Sequence, residues 1–143
     1  MRSRKCRSPA CTSSISPSWT FRTECCADDA RGRVELRWKP LGVVGGIAPW
    51  NFPVALGMHK VAQALYTGNT LVLKPSPYTP LSTLAIAAAA RDVFPAGVLN
   101  ILAGGNDLGA WMTAHPGIDK ISFTGSIATA RKCWPARPRR SSA

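Results

Sequence analysis

Polar residues that could bind a ligand follow three apolar, β-prone segments of this chain. Asn51 comes shortly after residues 43–47, Lys74 directly follows 70–73, and the pair Gly125-Ser126 comes shortly after 120–123. An open α/β sheet binds its ligands beyond the carboxyl ends of its strands. We therefore expect the turns that close these strands to line one cleft, where an amide, a cationic amine and free backbone N–H groups would meet negative charge.

Asn51 stands on a loop that two prolines restrict. Pro49 and Pro53 fix the backbone on either side of it. An asparagine held in this way can direct its NH₂ group at a developing oxyanion, an interaction whose loss typically costs about 10²–10³ in rate. The alternative is that Asn51 caps the helix that follows, because asparagine is among the preferred residues at that position.

Lys74 and the Gly125-Ser126 turn also offer hydrogen-bond donors. A lysine at the end of a strand brings a cation and its N–H groups to the ligand-binding edge of the sheet. A strand that enters Gly-Ser at a helix start offers free N–H groups and a hydroxyl to a pyrophosphate, and the glycine allows close approach. The alternatives are a solvated lysine at a turn and an ordinary Gly-Ser turn.

The spacing of apolar residues predicts the elements that position these groups. Strands are predicted at 43–47, 70–73, 98–102 and 120–123, and helices at 54–66, 81–93 and 108–114. This alternation predicts a parallel sheet with right-handed crossovers, and its apolar strands indicate helices on both faces. The predicted fold class is α/β, a Rossmann-like doubly wound parallel sheet that is incomplete and has disordered basic termini.

Charge divides the chain at the ends of this pattern. Residues 1–38 hold eight basic and four acidic residues, 131–143 five basic and no acidic ones, and 39–130 five basic and three acidic ones. We expect a disordered or out-of-family segment at 1–36, a patterned domain at 37–132 and an out-of-family basic tail at 133–143. The nearly neutral middle is typical of a cytoplasmic metabolic domain and predicts that no nucleic acid is bound.

The five cysteines do not form a recognisable framework. They lie at 6, 11, 25, 26 and 133, and no pair has Cys-x-x-Cys spacing. With only two histidines in the chain, we predict no metal site. The longest apolar run, residues 84–90, is far too short to cross a bilayer, so we expect no membrane partner.

Three motifs occur in order along the chain: Ala-Pro-Trp-Asn-Phe-Pro at 48–53, Leu-Lys-Pro-Ser-Pro at 73–77 and Ser-Phe-Thr-Gly-Ser at 122–126. Together they resemble the NAD(P)-dependent aldehyde dehydrogenase family, and the resemblance runs from about 39 to 132. It implies that 37–132 is a partial dinucleotide-binding domain and that the cofactor is NAD or NADP. It also implies that the complete enzyme oxidises a small-molecule aldehyde to a carboxylate.

The resemblance implies roles for individual residues. Asn51 would stabilise the oxyanion beside the nucleophile, which favours that role over the helix cap. Lys60 would face the reaction centre, with a solvated helical lysine as an equal alternative. The residues implied in cofactor binding are Ile47, Ala48, Pro49, Trp50, Lys74, Ser76, Gly105, Gly109, Phe123, Thr124, Gly125 and Ser126.

The sequence departs from the family pattern at two positions. Many members place a glutamate that chelates the adenosine ribose where this chain has Pro77. A carboxylate there would repel a 2′-phosphate, so its absence leaves NADP as open as NAD. The second glycine after the Gly-Ser turn is replaced by Ala130, which adds one methyl group.

We further expect the chain by itself to be inactive. In the family the catalytic cysteine and glutamate lie further beyond the Gly-Ser turn than the 17 residues that follow Ser126. The elements that members use to oligomerise are expected to be absent as well, and the composition of both ends indicates out-of-frame translation. Two alternatives remain: a non-catalytic dinucleotide-binding fragment, and a basic nucleic-acid-binding protein whose charged ends make the contacts.

Overall fold

The computed structural model of the chain describes residues 24–29 and 32–133. The elements in chain order are β1 (Glu24–Asp29), β2 (Gly32–Leu36), β3 (Val43–Ile47), α1 (Pro53–Tyr66), β4 (Thr70–Lys74), α2 (Leu81–Ala90), β5 (Leu99–Ile101), α3 (Asn106–Ala114), β6 (Lys120–Phe123) and α4 (Ile127–Cys133). Most of the N-terminal segment predicted to be disordered, and the tail after Cys133, lie outside the described residues. None of the described helices combines the length and apolar character needed to span a membrane.

The first unit contains an antiparallel pair, β1 and β2, where the sequence analysis expected no element. Arg33 and Glu35 alternate along β2 with Val34 and Leu36, which is the period of a strand, and Arg37 directly follows it. The Glu35 carboxylate lies 2.7 Å from Arg33 Nε and 2.7 Å from an Arg37 guanidinium nitrogen. The hydrogen bond from Arg37 lowers the pKa of Glu35. Because this segment is highly charged, the sequence analysis did not assign its alternating pattern to a strand.

The second unit contains a four-stranded parallel sheet with the strand order β5-β4-β3-β6. Val43 is paired with Thr70 at the start of the β3–β4 ladder and Ile47 with Lys74 at its end, while Ile47 also pairs with Phe123 of β6. The chain runs outward from β3 to β4 and β5 and then returns to the other side of β3. The strand order therefore reverses between β3 and β6, which is the topological switch point of such a sheet.

One face of the sheet carries the apolar core under α1. Leu71 and Leu73 are fully buried there, with Val44, Val61 and Ala64 packed around them. Helix α2 packs against α1 and β5. Burial of this continuous apolar cluster supplies the main driving force for folding of the unit.

The opposite face of the sheet is covered by α3. A Cβ placed on Gly109 would lie 3.8 Å from Lys74 Cδ and 3.9 Å from Ile47 Cδ1, so α3 sits on the last residues of β3 and β4. Ile47 and Lys74 alternate with the core residues before them and therefore point away from α1. Helices on both faces confirm the predicted doubly wound α/β class.

Asn69 ties the chain before β3 to the connection between α1 and β4. This residue is 6% exposed, and its Oδ1 accepts the backbone N–H groups of Leu41 at 2.6 Å and Gly42 at 3.0 Å. Its Nδ2 donates to Thr67 Oγ1 at 2.7 Å. One buried amide thus fixes where β3 begins relative to the helix that precedes β4.

Several helix and strand ends differ from the prediction by a few residues. Helix α2 ends at Ala90 rather than at 93, and residues 91–93 form turns before Pro95. Helix α3 begins at Asn106 rather than at 108, since Gly105 is its N-cap and Asp107 suits a helix N-terminus. Strand β5 is confined to Leu99–Ile101, shorter than the predicted 98–102.

Candidate functional site

The carboxyl ends of β3, β4, β5 and β6 lie side by side, and we call this edge the carboxyl rim. Ala48 N–H donates to Lys74 O at 3.0 Å, and Thr124 N–H donates to Ile47 O at 3.0 Å. On the other side, Leu102 N–H donates to Leu73 O at 2.9 Å. The loops after β3 and β6 therefore leave the sheet next to each other at the switch point, where open α/β sheets bind their ligands.

Asn51 lies on the loop after β3 and is exposed. The N-cap residue of α1 is Phe52, and no side chain caps this helix. The helix-cap alternative for Asn51 is therefore wrong. Within the described part of the chain the Asn51 amide makes no hydrogen bond, so both its donor and its acceptor are free to bind a ligand beside the exposed ring of Trp50.

Lys74 is buried at the end of β4, with only 3% of its surface exposed. Its Nζ donates to Pro75 O at 3.3 Å, and no carboxylate among residues 24–29 and 32–133 pairs with it. Burial lowers the pKa of Lys74. The alternative of a solvated lysine is thus excluded, and an ammonium with three donors has one weak protein acceptor.

Gly109 brings the backbone of α3 onto the Lys74 side chain. The 3.8 Å separation between a Cβ at Gly109 and the Lys74 stem is an ordinary contact, so a larger side chain would cover the stem. Gly105 precedes the first residue of the same helix, with nothing within 4 Å of where its Cβ would be. Gly105 thus leaves open space at the start of α3, and Gly109 lets the backbone of α3 lie close to Lys74.

Ser76 closes the loop that follows Lys74. It is 6% exposed, and its Oγ accepts the Tyr78 N–H at 3.3 Å. Thr79 Oγ1 and Thr83 Oγ1 are also buried near this loop, without a hydrogen-bond partner among the described residues. The hydroxyl predicted to bind cofactor therefore braces its own turn in this structure.

The turn after β6 is shaped by Gly125. A Cβ at this position would lie 2.6 Å from Phe123 Cζ, so no other residue fits without moving the ring. Ser126 Oγ accepts the Thr129 N–H at 3.2 Å and lies 3.0 Å from Thr129 Oγ1. Ser126 thus acts as the N-cap of α4 and holds the Gly-Ser turn at the rim.

Lys60 is buried on the opposite face of the sheet from Lys74. It is 6% exposed, and its Nζ donates to Ser122 Oγ at 3.1 Å and to Thr124 Oγ1 at 2.8 Å. Burial lowers the pKa of Lys60, and it forms no ion pair with any residue that the structure describes. The alternative of a solvated helical lysine is therefore wrong.

The structure brings some predicted residues together and leaves others apart. Lys74, Ile47 and Gly109 are in contact on one face, and Lys60 bonds Thr124 on the other. The sequence analysis gave no role to Ser122, which accepts from Lys60, or to Gly46, whose missing side chain leaves room for the Lys60 stem. A polar residue between Ile121 and Phe123 in an otherwise apolar strand was the available signal for Ser122.

Comparison with protein families matches residues 20–139 to the Aldehyde dehydrogenase family. This range is wider than the predicted 39–132. Aldehyde dehydrogenase LUC3 of Fusarium sp is 45% identical over 115 residues, which are 80% of this chain and 24% of LUC3. The chain spans about a fifth to a quarter of the length of the curated relatives it matches.

Solved structures of similar proteins share the fold of this chain. The NAD⁺ complex of aldehyde dehydrogenase from Bacillus cereus is 38% identical with a TM-score of 0.78, covering 81% of this chain and 24% of that one. The complex of PnpE with nicotinamide adenine dinucleotide is 42% identical with a TM-score of 0.76, covering 80% of this chain and 24% of that one.

Proposed function

Because this chain belongs to the aldehyde dehydrogenase family, we propose that its carboxyl rim binds NAD or NADP. In the complete protein this binding serves the oxidation of a small-molecule aldehyde to a carboxylate. The dinucleotide supplies the hydride acceptor for that oxidation. The structures of two similar proteins that were solved with the dinucleotide bound support the choice of cofactor.

The proposal rests on the burial and the weak hydrogen bonding of the Lys74 ammonium. Its ammonium is buried at the rim, has one hydrogen bond of 3.3 Å, and pairs with no described carboxylate. A buried cation with a single weak acceptor is unfavourable, so a ligand that brings oxygen atoms to it gains binding free energy. The hydroxyls of an adenosine ribose are such a ligand, and the glycine at position 109 places no side chain against the Lys74 stem.

The remaining cofactor contacts are proposed for the loops on either side of Lys74. The turn of Thr124, Gly125 and Ser126 would bind the pyrophosphate, because glycine lets phosphate approach the backbone there. Gly105 and Ser76 would border the adenosine end. The residues proposed to line the path between these ends are Ile47, Ala48, Pro49, Trp50 and Phe123.

Asn51 is proposed to stabilise the oxyanion that develops from the aldehyde. Its amide has no described hydrogen-bond partner, and its loop is held by prolines on both sides. A preorganised donor of this kind acts most strongly when its geometry is fixed before the reaction begins.

Titration of the chain with NAD and with NADP tests the proposal. We expect saturable binding of at least one of them by calorimetry, together with a change in the fluorescence of the exposed Trp50 and Trp111. No binding of either dinucleotide by a folded sample would refute it. An aldehyde turnover assay on the same sample tests the separate prediction that the chain alone oxidises no aldehyde.

A further inference from the structure

We propose that Cys25 and Cys26 form a two-sulfur site for a soft, thiophilic ligand, and that organic trivalent arsenicals are the class of ligand it takes. We call these two residues the vicinal dithiol. Both are thiols, and Cys26 is exposed while Cys25 is half-buried, so a dissolved ligand can reach them. The site lies on β1 in the first unit, and the inference does not depend on dinucleotide binding at the carboxyl rim.

A β-bulge brings the two cysteines together on β1. In a regular strand adjacent side chains point to opposite faces, which would keep the sulfurs apart. The ladder pairs Cys25 with Glu35 and Ala27 with Val34, so Cys26 is the extra residue of the register. In such a bulge two residues of one strand oppose a single residue of its partner. The alternation is therefore broken at Cys26, and its side chain does not have to point away from that of Cys25.

The hydrogen bond of Cys25 turns its sulfur toward the bulge. The thiol donates to Ala27 O at 3.5 Å, so the sulfur leans toward the residue beyond Cys26. A thiol is a weak donor, and this bond is given up at little cost when the sulfur binds a ligand. Both sulfurs of the vicinal dithiol can therefore bind one atom.

The available side chains select the kind of ligand. Thiolate sulfur selects soft ions. A structural zinc site needs four ligands, and among residues 24–29 and 32–133 no three His, Cys, Asp or Glu side chains group in a way that could hold a metal. Glu35, which is paired with Cys25, is engaged by Arg33 and Arg37 at 2.7 Å each. Trivalent arsenic that carries one organic group needs two further ligands, and the vicinal dithiol offers two.

The binding step needs no oxidant or reductant. An organic arsonous acid carries two hydroxyl groups on trivalent arsenic. Each thiol sulfur forms an As–S bond in place of an As–O bond, and the thiol proton leaves with the displaced hydroxyl as water. Two molecules of water are released, and the oxidation states of arsenic and sulfur do not change. The product is a ring that closes through the peptide bond between Cys25 and Cys26.

Labelling of the full, reduced chain with phenylarsine oxide, which is hydrated in water to the arsonous acid, tests the site. The chain is treated with an equimolar amount and then with excess glutathione, a monothiol, and the bound phenylarsenic group is measured by intact mass. Cys25→Ser and Cys26→Ser each leave one sulfur. Cys133→Ser is the matched control, because it removes a described thiol outside β1. Trypsin then locates the label, since the peptide of residues 23–31 contains no other cysteine.

We expect the wild type and Cys133→Ser to keep one phenylarsenic group on residues 23–31 in excess glutathione. A competing dithiol, 2,3-dimercaptopropanol, should remove it. Cys25→Ser and Cys26→Ser should each retain about 10²-fold less, because the second As–S bond forms within one molecule and a single bond exchanges with glutathione. A label that either serine variant keeps, that the wild type loses to glutathione, or that lies on another peptide would overturn the site.

Moving one cysteine by a single position tests the part played by the bulge. Ala27 is paired with Val34 and Cys25 with Glu35, which are neighbours on β2, so the side chains of positions 25 and 27 point to opposite faces. The double variant Cys26→Ala/Ala27→Cys keeps both sulfurs in the same peptide and places them on those two faces. It should lose the label to glutathione as the serine variants do. Retention equal to that of the wild type would show that the bulge does not form the site.

Discussion

Replacing Lys74 by methionine should affect stability and ligand binding in opposite directions. Methionine keeps the length of the stem and removes the ammonium that is buried at the carboxyl rim. In the wild type that ammonium has one hydrogen bond, of 3.3 Å, to Pro75 O and no described carboxylate nearby. The variant therefore loses almost no interaction that stabilises the ligand-free chain. It does lose the hydrogen-bond donor that we assign to cofactor binding.

The size of each effect follows from these contacts. Replacing buried ionic groups by apolar ones of similar volume often stabilises a protein by about 1–4 kcal/mol. We expect Lys74→Met to be such a stabilising change, because Lys74 pairs with no described carboxylate. A gain of about 1 kcal/mol would raise the midpoint of thermal unfolding by roughly 4–8 °C in a domain of this size. A hydrogen bond from a charged group is worth about 1.5–3 kcal/mol, so the Kd for the dinucleotide should rise by about 10–100-fold.

The pH dependence gives a second measure of the Lys74 effect. Burial lowers the pKa of Lys74 in the folded chain below its ordinary value of 10.5. Between those two values the unfolded chain holds more protons than the folded one, so the free energy of unfolding rises with pH. Lys60 contributes the same rise of the free energy of unfolding with pH in the wild type and in Lys74→Met. The stability advantage of Lys74→Met should therefore be constant below the lowered pKa and shrink as the pH approaches 10.5.

Thermal unfolding and calorimetric titration of the wild type, Lys74→Met and the exposed control Lys120→Met measure both effects. The control should leave the midpoint and the Kd nearly unchanged. A Lys74→Met variant that is less stable than the wild type would mean that the ammonium is well satisfied in the folded chain. A variant that binds dinucleotide as tightly as the wild type would refute the assignment of Lys74.

Three further substitutions give sharp outcomes. Pro77→Glu adds a carboxylate beside the proposed ribose site, so the ratio of NADP to NAD dissociation constants should rise by at least tenfold in paired titrations; an unchanged ratio would place the ribose elsewhere. Asn69→Ala leaves two backbone N–H groups without their acceptor and should lower the free energy of unfolding by about 2 kcal/mol in urea, whereas the exposed Asn106→Ala should change it little. Ser126→Ala removes the cap on the Thr129 N–H and should cost about 1 kcal/mol and accelerate exchange of that amide; exchange at the wild-type rate would contradict the cap.

Much of the sheet could be predicted from the sequence because its two central strands, β3 and β4, are apolar and largely buried. Apolar runs such as Val43–Ile47, bounded by proline or glycine, have few other interpretations, and the structure places strands at each predicted segment. The ends of α2 and α3 were less predictable, since they depend on single residues such as Gly105. The β1–β2 pair escaped prediction because charged side chains alternate on one of its faces.

The positions of the site residues could be predicted, but their surroundings could not. The motifs place Lys74, Asn51 and Gly125 after strand ends, and in a parallel sheet those ends share one edge. The surroundings of Lys74 depend on a residue far away in the sequence, Gly109, and those of Lys60 depend on Ser122. A single glycine or serine carries too weak a pattern for such a contact to be inferred.

Lys60 and Lys74 together place two buried positive charges near the carboxyl rim. Both ammonium groups are buried near the ends of the central strands, one on each face, and neither pairs with a described carboxylate. Such cations weaken the empty fold, since burial disfavours their charged form. A ligand that brings oxygen atoms to the Lys74 ammonium offsets part of that cost when it binds. A group that binds only the folded chain raises its stability in proportion to RT ln(1 + [L]/Kd). Saturating dinucleotide should therefore raise the unfolding midpoint of the wild type much more than that of Lys74→Met. Without ligand, Lys74→Met should be more stable than the wild type, and with bound dinucleotide it should be less stable.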